Sequence, residues 1–119
     1  MLRQAVLDLH LATNVRDRGT YEWACCVAQQ AGDKAAKSAH ERTGAEAWGH
    51  SVAGLLEELD EVPTEVMEAS KSLDRHYIPT CYPNSHPERA LGDLYTERDA
   101  RSALADAKLV LDPVRCTQA

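Results

Sequence analysis

Apolar residues recur at spacings of three and four from one end of this 119-residue chain to the other, and no run of alternating β-branched residues interrupts them. That period belongs to one face of an α-helix, and the missing alternation removes the half-buried strand. The chain is therefore expected to be all-α, an up-and-down antiparallel bundle of four main helices plus one short helix, in a single domain over residues 1–119. Two cores in so short a chain would each be too small to hold without covalent staples.

The punctuation gives the elements. A first helix, 2–18, puts Leu2, Ala5, Val6, Leu9 and Ala12 on one stripe and stops at Gly19. Thr20 offers an N-cap for the longest helix, 21–43, which ends at Gly44. One face of that helix is Ala24, Ala28, Ala31, Ala35 and Ala39, small enough for a neighbouring helix to approach closely. A second stripe begins as Trp23, Cys26 and Val27 and continues as Gln30, Lys34 and Lys37. Either the second half of the helix emerges into solvent, the more ordinary outcome, or it lines a polar pocket. Ser51 caps a short third helix carrying Val52, Leu55, Leu56 and Leu59, and Pro63 suits the first turn of a fourth, with Val66, Ala69, Leu73 and Tyr77 inward and Pro79 as its stop. From Pro79 to Tyr95 the chain is too broken by proline and glycine for a regular element. Thr96 and Asp99 resemble a capping box that opens a fifth helix, with Ala100, Ala103, Leu104, Ala107 and Leu111 inward and a stop near Pro113.

Aromatics are only 5% and Phe is absent, so Ala and Leu must fill the core. Alanine buries little area, which makes extra burial in a dimer a reasonable expectation. The net charge of −6 disfavours nonspecific binding to a polyanion, so any nucleic-acid contact must be local. The longest apolar run, Trp23 to Ala28, is far short of a membrane span, and the N-terminus lacks the order of a signal peptide; no membrane partner and a cytoplasmic location are expected. Cys25, Cys26, Cys81 and Cys116, together with five scattered His, do not reproduce zinc-site spacing. Four thiols, no metal and no cofactor are the expectation.

No phosphate-cradling glycine loop, paired-carboxylate signature or nucleophile elbow is present. What stands out is a concentration of Arg75, His76, Tyr77, Cys81, Tyr82, His86, Arg89 and Tyr95. These are groups suited to anions: Arg forks onto phosphate, Tyr stacks or donates its hydroxyl, and His moves a proton near neutral pH. Taken singly, His40, His76 and Arg89 are expected to be ordinary surface residues. His50 suits helix-start hydrogen bonding better than catalysis, and Trp48 suits a core plug or an interface anchor equally.

The string Cys26-Val27-Ala28-Gln29-Gln30-Ala31-Gly32-Asp33-Lys34-Ala35-Ala36-Lys37, then His50-Ser51 with Leu55-Leu56, then Leu73-Asp74-Arg75-His76-Tyr77-Ile78-Pro79-Thr80-Cys81-Tyr82-Pro83-Asn84, resembles the HEPN family, and the likeness spans nearly the whole chain. The resemblance implies a helical bundle that is usually a homodimer, with a polar cleft that binds nucleotides or RNA. It also implies a minimal nucleotidyltransferase as a possible partner, in a toxin–antitoxin pair, and metal-independent RNA cleavage in active members. Their ribonuclease signature is an Arg followed a few residues later by a His: imidazole assists proton transfer, and guanidinium stabilises charge growing on the phosphoryl oxygens. His86 stands where that His would be, as the catalytic candidate. The family's Thr-Arg-Tyr-Pro reads Thr80-Cys81-Tyr82-Pro83, so the matching Arg is a Cys. Asp33, where the family more often has Glu, is a milder departure.

The reading that follows is a nucleotide- or RNA-binding HEPN-type homodimer in which Lys34, Lys37 and Arg75 hold phosphate, Tyr77 and Tyr82 contact base or sugar, and ribonuclease activity is weak or lost. Two alternatives stand beside it. One is an active metal-independent endoribonuclease using His86 with a non-standard Arg, and the other is a non-catalytic interaction scaffold.

Overall fold

A computed structural model describes residues 2–41, 51–59, 62–81 and 95–118, with the side chains of 77–81 and 115–118 excepted. It contains five helices, α1 (Leu2–Asp17), α2 (Tyr21–Glu41), α3 (Val52–Glu57), α4 (Thr64–Cys81) and α5 (Glu97–Gln118), and no strand among the described residues. The all-α expectation holds. None of these helices is long and apolar enough to cross a membrane.

The termini follow from local chemistry. At Gly19 the backbone takes φ 85°, a left-handed conformation that glycine adopts without a Cβ penalty. Its N–H donates to the Arg16 carbonyl at 2.9 Å and that of Thr20 to Val15 at 3.2 Å, so a Schellman turn closes α1. Ser51 Oγ accepts the Gly54 N–H at 2.9 Å and caps α3. The box at α5 is reciprocal: the Thr96 N–H donates to Asp99 Oδ2 at 2.8 Å, and the Asp99 N–H donates to Thr96 Oγ1 at 3.4 Å.

Both proline stops are corrected. α4 runs through Pro79 to Cys81, and α5 runs through Pro113 to Gln118. Proline removes one donor and crowds the carbonyl four residues back, which is most tolerable near a helix end. Pro63 stands just before α4, its carbonyl accepting the N–H groups of Val66 and Met67, both at 3.1 Å.

α2 is the centre of the bundle and packs on all four other helices, while α5 also packs on α1 and α4, and α3 on α4. Ala24, Ala28, Ala31 and Ala35 are fully buried, as the small-residue face requires. Gly32 sits where α2 meets α3 and α4: a Cβ there would stand 2.8 Å from Leu73 Cδ1 and 3.6 Å from Val52 Cγ2. The second half of α2 does not emerge into solvent. Asp33, Ser38 and His40 are all buried, the last in contact with the Glu58 carboxylate beyond α3.

Candidate functional site

On α2, Asp33, Lys34 and Lys37 form a line of charge at the margin of the buried face. Lys37 Nζ lies 3.1 Å from Asp33 Oδ2, one turn back, with only 17% of the lysine side chain and 2% of the aspartate exposed. Lys34 reaches across to α1 and pairs with Asp8, whose other oxygen accepts a 2.9 Å hydrogen bond from Gln4 Nε2. Asp8 was not singled out by the pattern, although it stands between Ala5 and Ala12 in the apolar stripe of α1, where a carboxylate needs a partner. Both cations are thus held by carboxylates of this chain, and an incoming phosphate would compete with them.

Arg75 belongs elsewhere. It lies on the exposed face of α4 and borders a groove of about 510 Å³ between α4 and α5, together with Glu65, Glu68, Lys71, Asp106 and Leu109. Its guanidinium donates to Ser72 Oγ at 3.3 Å. Burial raises the Asp106 carboxyl above its usual range, opposed by a hydrogen bond with Ser72 and by the charges of His76 and Arg75. Burial lowers His76, whose ring lies 5.8 Å from that of Tyr95, and the nearby Asp99 and Asp106 oppose that shift. Among the described side chains, Lys34 is paired toward α1 and Lys37 along α2, whereas Arg75 borders the α4–α5 groove. Lys71 stands one turn before Arg75 on α4, the i,i+4 basic pair that spacing gives, whereas Asp106 is the companion that sequence spacing did not supply, because it comes from a helix distant in sequence.

Asp74, beside Arg75, has a structural task. Its carboxylate accepts the N–H groups of Val52 at 2.8 Å and Ala53 at 3.0 Å, and the Ser51 hydroxyl at 3.0 Å, so α4 caps the start of α3. Tyr77 contributes backbone to α4, with its side chain outside the described residues, and Tyr82, His86 and Arg89 lie outside them altogether, as do Trp48 and His50. No group of three or more His, Cys, Asp or Glu among the described residues is placed to hold a metal ion.

The expectation of four thiols is corrected at Cys26, which is disulfide-bonded. Spacing rules recognise zinc patterns and cannot see a pairing between cysteines far apart in sequence. Cys25 is a free, fully buried thiol, and burial, reinforced by Asp99 and Glu22, pushes its pKa up to about 12. It behaves as a small core residue.

Comparison with known proteins places this arrangement. The HEPN domain family model matches residues 1–117. Among solved structures, TT1696 from Thermus thermophilus is 42% identical with a TM-score of 0.90, covering 96% of this chain and 92% of that one. ST0689, an archaeal HEPN homologue, is 34% identical with a TM-score of 0.84, covering 98% and 93%. A HEPN domain protein from Thermotoga maritima, tm0613, is 30% identical with a TM-score of 0.77, covering 98% and 95%. No curated protein matches. With the family pattern met along almost its full length and three related folds superposing on it, the chain belongs to the HEPN domain family.

Proposed function

We propose that this protein is a HEPN-type homodimer that binds a nucleotide or an RNA segment and works beside a minimal nucleotidyltransferase, with ribonuclease activity weak or absent. The observation that carries the loss of activity is Cys81. It closes α4 at the position where the family string has Arg, and a cysteine side chain cannot supply a delocalised positive charge. Losing one such donor to the transition state costs on the order of 10²- to 10³-fold in comparable sites. Arg75 is a poor substitute within one protomer. Six residues earlier on a helix means about 9 Å along the axis and about 120° around it, and its guanidinium already lies in the α4–α5 groove.

Binding is supported by family membership and by Lys71 and Arg75 on the exposed face of α4, in a chain that is acidic overall. Purified protein incubated with cellular RNA tests the catalytic half: wild type and His86→Ala should both be nearly silent, and Cys81→Arg should gain cleavage that His86→Ala removes. Cleavage by wild type that is lost in His86→Ala and Arg75→Ala would establish the active enzyme instead. Titration with nucleotides and short RNA at low salt tests the binding half. No binding of any of them, with a partner protein still captured, would leave the scaffold reading.

A further inference from the structure

Cys26, buried on α2, is disulfide-bonded, while Cys25 beside it is a free thiol. The chain has two other cysteines, Cys81 at the last residue of α4 and Cys116 near the end of α5. A disulfide joins Cα atoms roughly 4.4–6.8 Å apart, so the course of the helices decides between them. His40, near the end of α2, meets Glu58, which precedes α4, and Gly32, further back, packs on Leu73 midway along α4. α4 therefore runs antiparallel to α2. From the Gly32 contact, Cys26 lies six residues back along α2, about 9 Å, and Cys81 eight residues on along α4, about 12 Å, in the same direction. The two positions reach the same level of the bundle. The start of α5 is there too: the ring of Tyr95 lies 5.8 Å from that of His76, and the charge of Asp99 acts on both His76 and Cys25. Cys116 stands seventeen residues beyond Asp99, about 25 Å along α5 and far from Cys26.

We propose that Cys26 and Cys81 form a reversible disulfide latch that holds the last turn of α4 against the start of α2. Pro79 lies in that turn and has no N–H to offer the Arg75 carbonyl, so the turn lacks one helical bond and opens at low cost when the tie is absent. Closing the latch passes two electrons and two protons from the thiols of Cys26 and Cys81 to a small-molecule disulfide, which leaves as two thiols. Opening is the reverse: a small thiolate attacks one sulfur and displaces the other, and a second thiolate releases the mixed disulfide. Cys25 does not intercept these steps, because its buried thiol, with a pKa of about 12, supplies almost no thiolate. Where the family string has Arg, this chain carries one half of a covalent tie. The inference does not depend on nucleotide binding or on a dimer.

The test maps the bond and then its effect. Full-length wild type treated with oxidised glutathione, then denatured, alkylated and digested with trypsin, should yield residues 19–34 joined to 76–89, with two of its four cysteines alkylated. Dithiothreitol should free all four. Cys25 and Cys26 share one peptide, so Cys25→Ser should keep the link and Cys26→Ser abolish it. A link to Cys116, a link that persists in Cys26→Ser, or four alkylated cysteines after oxidation overturns the pairing. Reduction of the wild type, which needs no variant to fold, should lower its Tm by about 10 °C. It should also speed hydrogen exchange at the Thr80 and Cys81 amides by about tenfold or more. A Tm change below about 2 °C, with those amides equally protected in both states, overturns the latch. Cys81→Ser removes the link without adding a charge, so its RNA assay beside Cys81→Arg separates loss of the latch from restoration of the family's Arg.

Discussion

Replacing Asp74 with alanine should cost more than any other exposed or half-buried polar substitution in this bundle. Its carboxylate receives two backbone N–H groups at the start of α3 and the hydroxyl that itself caps Gly54, so one side chain organises the whole first turn. A hydrogen bond to a charged acceptor contributes a net ~1.5–3 kcal/mol, and a negative charge at a helix start adds ~0.3–1 kcal/mol. Water can reach part of this half-buried site and replaces some of that, which brings the expected loss for Asp74→Ala to about 2–3 kcal/mol. Asp74→Asn keeps an acceptor and loses the charge, and should cost about 1 kcal/mol. Because α3 is only six residues long and makes its contacts through Val52, Leu55 and Leu56, the effect should be local first. Urea unfolding followed by circular dichroism gives the stability change, and hydrogen exchange at the Leu55 and Leu56 amides gives the local one. A stability change below about 0.5 kcal/mol for Asp74→Ala, with those amides as protected as before, is the size of an ordinary surface change and would refute the capping role.

Gly32→Ala gains up to ~1 kcal/mol of helix propensity but drives a methyl to 2.8 Å from the fully buried Leu73; overpacking of ~1–3 kcal/mol should win, and Leu73→Val should relieve it in a double-mutant cycle. His76 has its pKa lowered by burial from 6.5, so the fold prefers the neutral ring. The stability it contributes is present above the unfolded pKa and lost as pH falls through the folded one, so His76→Gln should flatten the stability profile below neutrality, and an NMR titration should place the ring's midpoint below 6.5. Cys25, with its thiol at about 12, should resist alkylation in the native protein and react only on unfolding; rapid labelling of the folded chain, read by mass spectrometry, would contradict its burial.

Most of the architecture was legible because helix ends are written locally. Gly19, Ser51 and the Thr96-Asp99 box each act within a few residues of themselves, and each does in the structure what its spacing implies. Pro79 and Pro113 misled because a proline's cost depends on where the helix ends, which packing decides. The site was less readable. That Lys34 would answer Asp8, that Asp74 would cap α3, and that Arg75 would share a groove with Asp106 all depend on which helices touch. Tyr77, Tyr82 and His86 rest on the sequence and on experiment.

The central position of α2 has a consequence for how this molecule breathes. A rod gripped on every side cannot be released by loosening one neighbour, so small openings should begin at the rim, in α3 or at the outer ends of α1 and α5, and leave the alanine-lined axle intact. Drift in sequence meets the same asymmetry: a larger side chain at Ala28, Ala31 or Ala35 has nowhere to go, whereas the line through Trp23 and Gln30 leaves room for change.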